Sequence, residues 1–259
     1  MPIYPINESL ENAGLNVADL SYLISDITDT DECIVIRGNT AFKNTAANIK
    51  AYALGSAQNA LPGQTNDPAV KLLMHFDGNF NDAKGNTVNA IASPKLVSSP
   101  VKFGSAAFHY DSVSNGIQIP STPSLALGTD NFCIEFWCYI SNTSQKNFLL
   151  IDVNSGTDII IYTTNNSINF YDSTLRITSP CPIGQWNFVS IIREETFMKM
   201  YVNGVKASAD YSIGAISYGT ATGVKLGNIF GSGMYVDELR LSIGSIQTPA
   251  VVPIAPFPG

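Results

Sequence analysis

Two histidines, His75 and His109, are the whole supply of side chains that titrate unperturbed near neutral pH. Each stands alone in an apolar stretch, so a role in a core or an interface explains both more simply than a shared metal. A glycoside hydrolase requires two carboxyl groups facing each other across roughly 5–10 Å. On a strand, residues two or four apart share a face and neighbours do not. Glu135 is the one acid in its stretch, while Asp237-Glu238 and Glu194-Glu195 are adjacent pairs that a regular strand splits between its faces. The paired-acid pattern is missing, and a non-enzymatic protein is expected. The chain also has no G-x-S-x-G, P-loop or G-x-G-x-x-G motif. Cys33, Cys133, Cys138 and Cys181 include no C-x-x-C pair, which leaves zinc and thioredoxin chemistry unsupported. Cys133 and Cys138 fall on opposite faces of one strand and cannot bridge, so buried free thiols are expected. Sugar stacking would call for exposed rings. Trp137 and Trp186 sit in continuous apolar runs and read as core. Tyr110, Tyr162, Tyr171, Tyr211 and Tyr218 lie near strand ends, and nothing in the sequence ranks them.

The elements that must position these residues fall into two parts. In 1–66, Val17, Leu20, Leu23 and Ile24 have helical spacing behind Asn16 as a cap. Residues 32–37 read as a strand, Gly38-Asn39 as a turn, and 46–54 as a second short helix capped by Thr45 and closed by Gly55. Such units are too thin to bury a core alone and require neighbours. Residues 55–68 (GSAQNALPGQTNDP) read as a linker. From 69 to about 245 the pattern is strand and turn throughout. Strands are expected at 70–76, 106–110, 116–119 before Pro120, 132–140, 148–151, 159–162, 167–171, 186–193, 197–202, 205–207, 224–227 and 235–241. The run FCIEFWCYI (132–140) is apolar on both alternations, as in a central strand covered on two faces. Asn203-Gly204 marks a two-residue type I′ hairpin. Gly231-Ser232-Gly233 reads as a turn. The fold class is all-β: a two-sheet antiparallel sandwich over 67–246, a small α+β segment at 1–66, and a Pro-rich extended tail at 247–259.

The totals agree with that division. Hydrophobic residues at 45% supply a real core, and charged residues at 14% leave a surface polar through Ser, Thr, Asn and Gly. A formal net charge of −7 argues against nucleic acid or an anionic membrane as partner. The start MPIYPINESLENAG has neither a basic opening nor an apolar run, so no signal peptide is expected. No stretch reaches the ~20 apolar residues of a membrane helix.

Six motifs in order carry a resemblance: LLMHFDG (72–78), KFGSAAF (102–108), NFCIEFW (131–137), QWNFV (185–189), MYVNG (200–204) and YVDELR (235–240). Together they resemble the concanavalin-A-like, laminin-G-like family, in the version common in bacteriophage structural proteins. The resemblance covers about 70–245 and implies a jelly-roll of two curved antiparallel sheets. Residues 20–54 are similar to a short module of phage tail and head fibres, often trimeric. The resemblance thus implies a virion protein: a fibre, a tail appendage or a capsid decoration. It would dock on other virion proteins through its N-terminal segment, as a homotrimer, without nucleic-acid binding or membrane insertion. The alternative is a carbohydrate-binding adhesin for host surface glycans, and the last a glycan hydrolase. Relatives of this fold often hold structural calcium beside the last strand. That implies Asp77, which closes the first sandwich strand, and Asp237, in the last, with loop carbonyls completing six to eight oxygens. Turn capping by Asp77 and hydrogen bonding by Asp237 account for the same residues without a metal.

Overall fold

The computed structural model describes residues 67–259, apart from 112–113, 145, 154–157, 208, 231–232, 245–251 and 259, together with the backbone of 32–37 and 40–45. The helices expected over 17–24 and 46–54, most of the 55–68 linker and the first two residues of the 231–233 turn lie outside the described residues. The chain divides into two compact units, Met1–Gln58 and Asn59–Gly259. In the first, β1 (Glu32–Arg37) and β2 (Thr40–Thr45) pair antiparallel with Arg37 opposite Thr40.

The second unit is a β-sandwich. Its strands are β3 (Val70–Met74), β4 (Asn89–Ile91), β5 (Lys95–Val97), β6 (Ala107–Tyr110), β7 (Gly116–Thr122), β8 (Phe132–Ile140), β9 (Lys146–Val153) and β10 (Ile159–Thr164). There follow β11 (Ser167–Asp172), β12 (Leu175–Pro180), β13 (Trp186–Glu194), β14 (Phe197–Val202), β15 (Val205–Lys206), β16 (Tyr211–Ser212), β17 (Thr222–Phe230) and β18 (Met234–Ile243). One sheet runs β12-β11-β10-β9-β17-β7-β4. The other runs β15-β14-β13-β8-β18-β6-β5, with β16 beside β14 and β3 beside β18. Every pairing among them is antiparallel. Among the described residues no helix is long and apolar enough to cross a membrane.

Period-two alternation explains both covers of the central strand. Ile134, Phe136, Cys138 and Ile140 face the other sheet, in the main core with Phe76, Phe108, Phe170, Met200 and Leu226. The opposite alternation places Trp137 in a second cluster on the outer face of this sheet, with Val70, Leu73, Phe188 and Phe257. The expected hairpin is present: Asn203 and Gly204 take φ of 52° and 78°, as a type I′ turn requires. Asn165-Asn166, at φ of 48° and 63°, makes the same turn between β10 and β11.

Two expectations are corrected. The first sandwich strand stops at Met74 rather than running to 76. Phe76 turns left-handed (φ 62°) and still enters the core, stacked 5.8 Å from Phe108. The 116–119 strand continues through Pro120 to Thr122. It pairs there only with β17, whose ladder shifts register between Thr222 and Val224, so the missing amide is tolerated. The described tail residues, 252–258, lie on the chain's own sandwich: Phe257 is 4% exposed, packs on Phe188, and has the Arg240 guanidinium 4.0 Å from its ring centroid.

Phe257 caps the outer cluster, so Phe257→Ala should lower stability by about 3 kcal/mol, a fall of roughly 6–12 °C in Tm. An unchanged melting curve would mean that the tail is not seated there.

Candidate functional site

The outer face of the nine-stranded sheet gathers the residues with chemical potential, and one irregularity in β18 sets their arrangement. Asp237 lies opposite Trp137, yet Arg240 lies opposite Glu135, so β18 holds one residue more than β8 over that span. The extra residue is taken up at Glu238, which is left-handed at φ 54°. This corrects the expectation that Asp237 and Glu238 split between faces. Both turn outward, because a bulge resets the alternation by one position.

Each acid on that face has its own partner. Glu135 accepts from Arg240 Nε at 2.8 Å and Nη2 at 2.6 Å, with both side chains buried. Glu238 lies 2.9 Å from His75 Nδ1 through both oxygens and accepts the amide of Phe257 at 2.8 Å. Asp237 Oδ2 accepts the amides of Lys102 and Phe103 at 3.0 and 3.1 Å. Asp77 Oδ1 accepts the amide of Ser105 at 2.6 Å. Gly104 between them is left-handed (φ 62°), and a Cβ there would come within 1.9 Å of Asp77 Oδ1, so the KFGS turn needs its glycine. The hydrogen bond to Glu238 raises the pKa of His75, against a smaller opposing effect of burial. Burial pushes Asp237 up to about 7, with the amides of Phe103 and Lys102 opposing.

The structure thus brings Asp77 and Asp237 to one loop, as the antiparallel pairing of β3 and β18 requires. They meet it as acceptors of amide protons. Among the described residues, no group of three or more His, Cys, Asp or Glu side chains is placed to hold a metal ion. One buried oxygen, Asp237 Oδ1, has no hydrogen-bond partner. The cysteines carry no chemistry of this face: Cys133, Cys138 and Cys181 are free and buried.

Beyond the tail, the same face carries a row of rings. Registers place Lys95 beside His109, His109 beside Tyr235, Tyr235 beside Tyr139, and Tyr139 beside Trp186, across β5, β6, β18, β8 and β13. The ring centroids are 4.2 Å apart from His109 to Tyr235, 5.6 Å from Tyr235 to Tyr139 and 5.9 Å from Tyr139 to Trp186. His109, Tyr235, Tyr139 and Trp186 are all half-buried. Trp186 is therefore not in the inter-sheet core, and Trp137, though buried, lies under the tail on the outer face. Of the tyrosines singled out from sequence, Tyr110 and Tyr218 are fully buried, and Tyr162, Tyr171 and Tyr211 are half-buried away from this row.

A family model described as the concanavalin A-like lectin/glucanases superfamily matches residues 111–241. The chain belongs to that superfamily. No curated protein sequence matches it. Among solved structures, this concanavalin A-like chain is similar to the binding domain of Paraclostridial mosquitocidal protein 1, at 11% identity and a TM-score of 0.56, over 69% of this chain and 50% of that one. It is also similar to the botulinum neurotoxin serotype D binding domain, at 12% identity and a TM-score of 0.53, over 69% and 48%. The chain therefore spans about half the length of these toxin domains. Domain 4 of AbnA, a GH43 extracellular arabinanase from Geobacillus stearothermophilus solved with arabinotriose, aligns over 70% of this chain and 95% of its own at 15% identity and a TM-score of 0.51. At these identities the likeness is one of fold. The concanavalin A-like sandwich is a lectin-like scaffold, and its neighbours here are binding domains.

Asp237 releases its proton near pH 7 when folded and near 3.8 when unfolded, so its contribution to stability is complete below about 3.8 and disappears as pH rises through 7. His75, raised above 6.5, acts in the same direction at higher pH. Asp237→Asn should therefore flatten the fall in Tm between pH 5 and pH 8 that the unmodified chain shows. Parallel pH profiles for the two proteins would refute the buried titration.

Proposed function

We propose that this chain is a virion surface protein whose sandwich binds glycan through the row His109, Tyr235, Tyr139 and Trp186. The observation that carries the glycan reading is that row: four partly exposed rings on adjacent strands. His109 and Tyr235 stack on each other, while Tyr139 meets Tyr235 and Trp186 edge to face. Such a mix of ring faces, edges and polar tips suits a pyranose or furanose, which offers apolar C–H patches and hydroxyls together. Among the described residues nothing bonds to the hydroxyls of Tyr139 or Tyr235, which leaves them to a ligand. The lectin-like family and the arabinotriose-bound neighbour support the same reading. Catalysis is not part of the proposal, because Glu135, Asp237 and Glu238 are each committed to partners of the fold.

The virion placement rests on the phage resemblance of the sequence over 70–245 and 20–54, and on a surface poor in charge. We further propose a homotrimer assembled through the N-terminal unit, with the sandwich displayed outward as part of a fibre, tail appendage or capsid decoration. Closed symmetric assembly is the usual state of such parts. A glycan array probed with the full chain should give specific signals that Tyr139→Ala and Tyr235→Ala each weaken about tenfold, while light scattering reports three copies. Binding that both variants retain would remove the row from the proposal, and a monomer would remove the trimer.

Calcium at Asp77 and Asp237 is a separate proposal. The orphaned Asp237 Oδ1 favours it, and the three amides already donating to the pair oppose it. Millimolar calcium should raise the Tm and a chelator should reverse the rise; a Tm indifferent to both rejects the ion.

A further inference from the structure

We infer that the aromatic row accepts an uncharged, extended glycan chain laid across the strands, in preference to a terminal monosaccharide or an acidic sugar. This rests on the glycan-binding reading above and specifies its ligand.

The shape argument comes from register. His109, Tyr235, Tyr139 and Trp186 occupy one position on each of four neighbouring strands, so they span three strand spacings, about 14 Å. That is the reach of a short oligosaccharide and longer than one sugar ring. The row is bounded on one side. There Lys102 Nζ sits 3.9 Å from the Trp137 ring centroid, and the tail closes over Trp137 and Phe188 with Phe257. On the other side the next residues of β18 and β8 are small: Gly233 precedes Met234, and Ser141 follows Ile140 and bonds to the Gly233 carbonyl through its amide and Oγ. The result is a shelf with one wall, running perpendicular to the strands.

The charged groups around the row are mostly engaged within the fold. At the row's end, Lys95 pairs with Asp111, which also accepts from Asn115 Nδ2 at 3.1 Å. Lys102 Nζ is held over the Trp137 and Phe103 rings, and the Lys102 backbone amide donates to Asp237 Oδ2. Arg240 is buried against Glu135. His109, packed on Tyr235, is held below the ordinary histidine pKa by burial and is uncharged at neutral pH. Among the described residues the cation at the row's end, Lys95, is paired, Lys102 at its wall is held over the Trp137 ring, and the whole chain carries a net charge of −7. A carboxylated or sulfated glycan would meet cations already engaged there and would be repelled at long range. A neutral chain would lose nothing on either count, and its hydroxyls would find the tips of Tyr139, Tyr235 and His109.

Calorimetry on the full chain tests this with cello-, xylo- and arabino-oligosaccharides of one to six residues and with oligouronides of the same lengths. The expected result is affinity that climbs about tenfold or more from monosaccharide to trisaccharide and then levels off. Oligouronides should bind about tenfold more weakly, and Tyr139→Ala and Tyr235→Ala should each lose about tenfold, with Tyr→Phe at either position losing less. Thermal melts confirm that the variants fold. Length-independent affinity overturns the extended chain. Tighter oligouronide binding that the Ala variants abolish overturns the uncharged class and leaves glycan binding at the row intact. Ala variants that alter only the oligomer in light scattering overturn the ligand in favour of a second copy. No binding of any sugar by the unmodified chain removes the underlying reading as well.

Discussion

The extra residue at Glu238 is the constraint on which the outer face depends. In strict alternation, Met234 and Val236 facing the core would be followed inward by Glu238, Arg240 and Ser242. An unmatched carboxylate and guanidinium would then enter the inter-sheet core at a cost of several kcal/mol each. The bulge resets the phase, so that Leu239, Leu241 and Ile243 enter the core and Arg240 meets Glu135 outside. A left-handed non-glycine residue costs about 1–3 kcal/mol, which the Glu238 contacts to His75 and the Phe257 amide offset. From this one position follow the seat of the tail, the grip of Asp237 on the 102–105 loop, and the placing of Tyr235 beside His109 and Tyr139.

The outer face is thereby divided between structure and recognition. Where the tail lies, rings and charges are buried and mutually satisfied: Arg240 with Glu135 and Phe257, Glu238 with His75, Trp137 with Phe188. Along the row from His109 to Trp186 the rings are of the same kind but remain partly exposed. A sheet face that is closed and neutralised on one half offers a rigid support for the other, because strands fix ring positions more tightly than loops do. That rigidity suits a binding surface whose ligand is recognised by stacking, where small displacements of a ring cost contact.

Much of the fold was legible in the residues. The FCIEFWCYI run announced a strand covered on both faces, Asn203-Gly204 announced its hairpin, and the absence of helical spacing after Ala69 announced a sandwich. The bulge was legible too, in the shift of apolar parity from Met234 and Val236 to Leu239, Leu241 and Ile243, but adjacency of Asp237 and Glu238 was read as if the strand were regular. The LRITSP strand at β12 is illegible in the sequence because its two buried residues are Ile177 and Ser179, and only the first is apolar, which leaves almost no pattern. The aromatic row was illegible for a different reason. His109, Tyr139, Trp186 and Tyr235 are far apart in sequence and meet only through strand order. An apolar run covered on both faces also does not reveal which stretch of the outer face its cover leaves open. Trp186 therefore reads as core from its apolar run, and position near a strand end does not single out Tyr139 and Tyr235.

The most direct measurement uses the fact that the chain has two tryptophans, Trp137 within the covered cluster and Trp186 where that cluster meets the row. Their indole N–H signals in a nitrogen-15 spectrum separate the open row from the covered cluster. Titration with a neutral oligosaccharide should move the Trp186 signal and leave Trp137, beneath Phe257, in place. A bound ligand that leaves Trp186 unmoved would contradict the account.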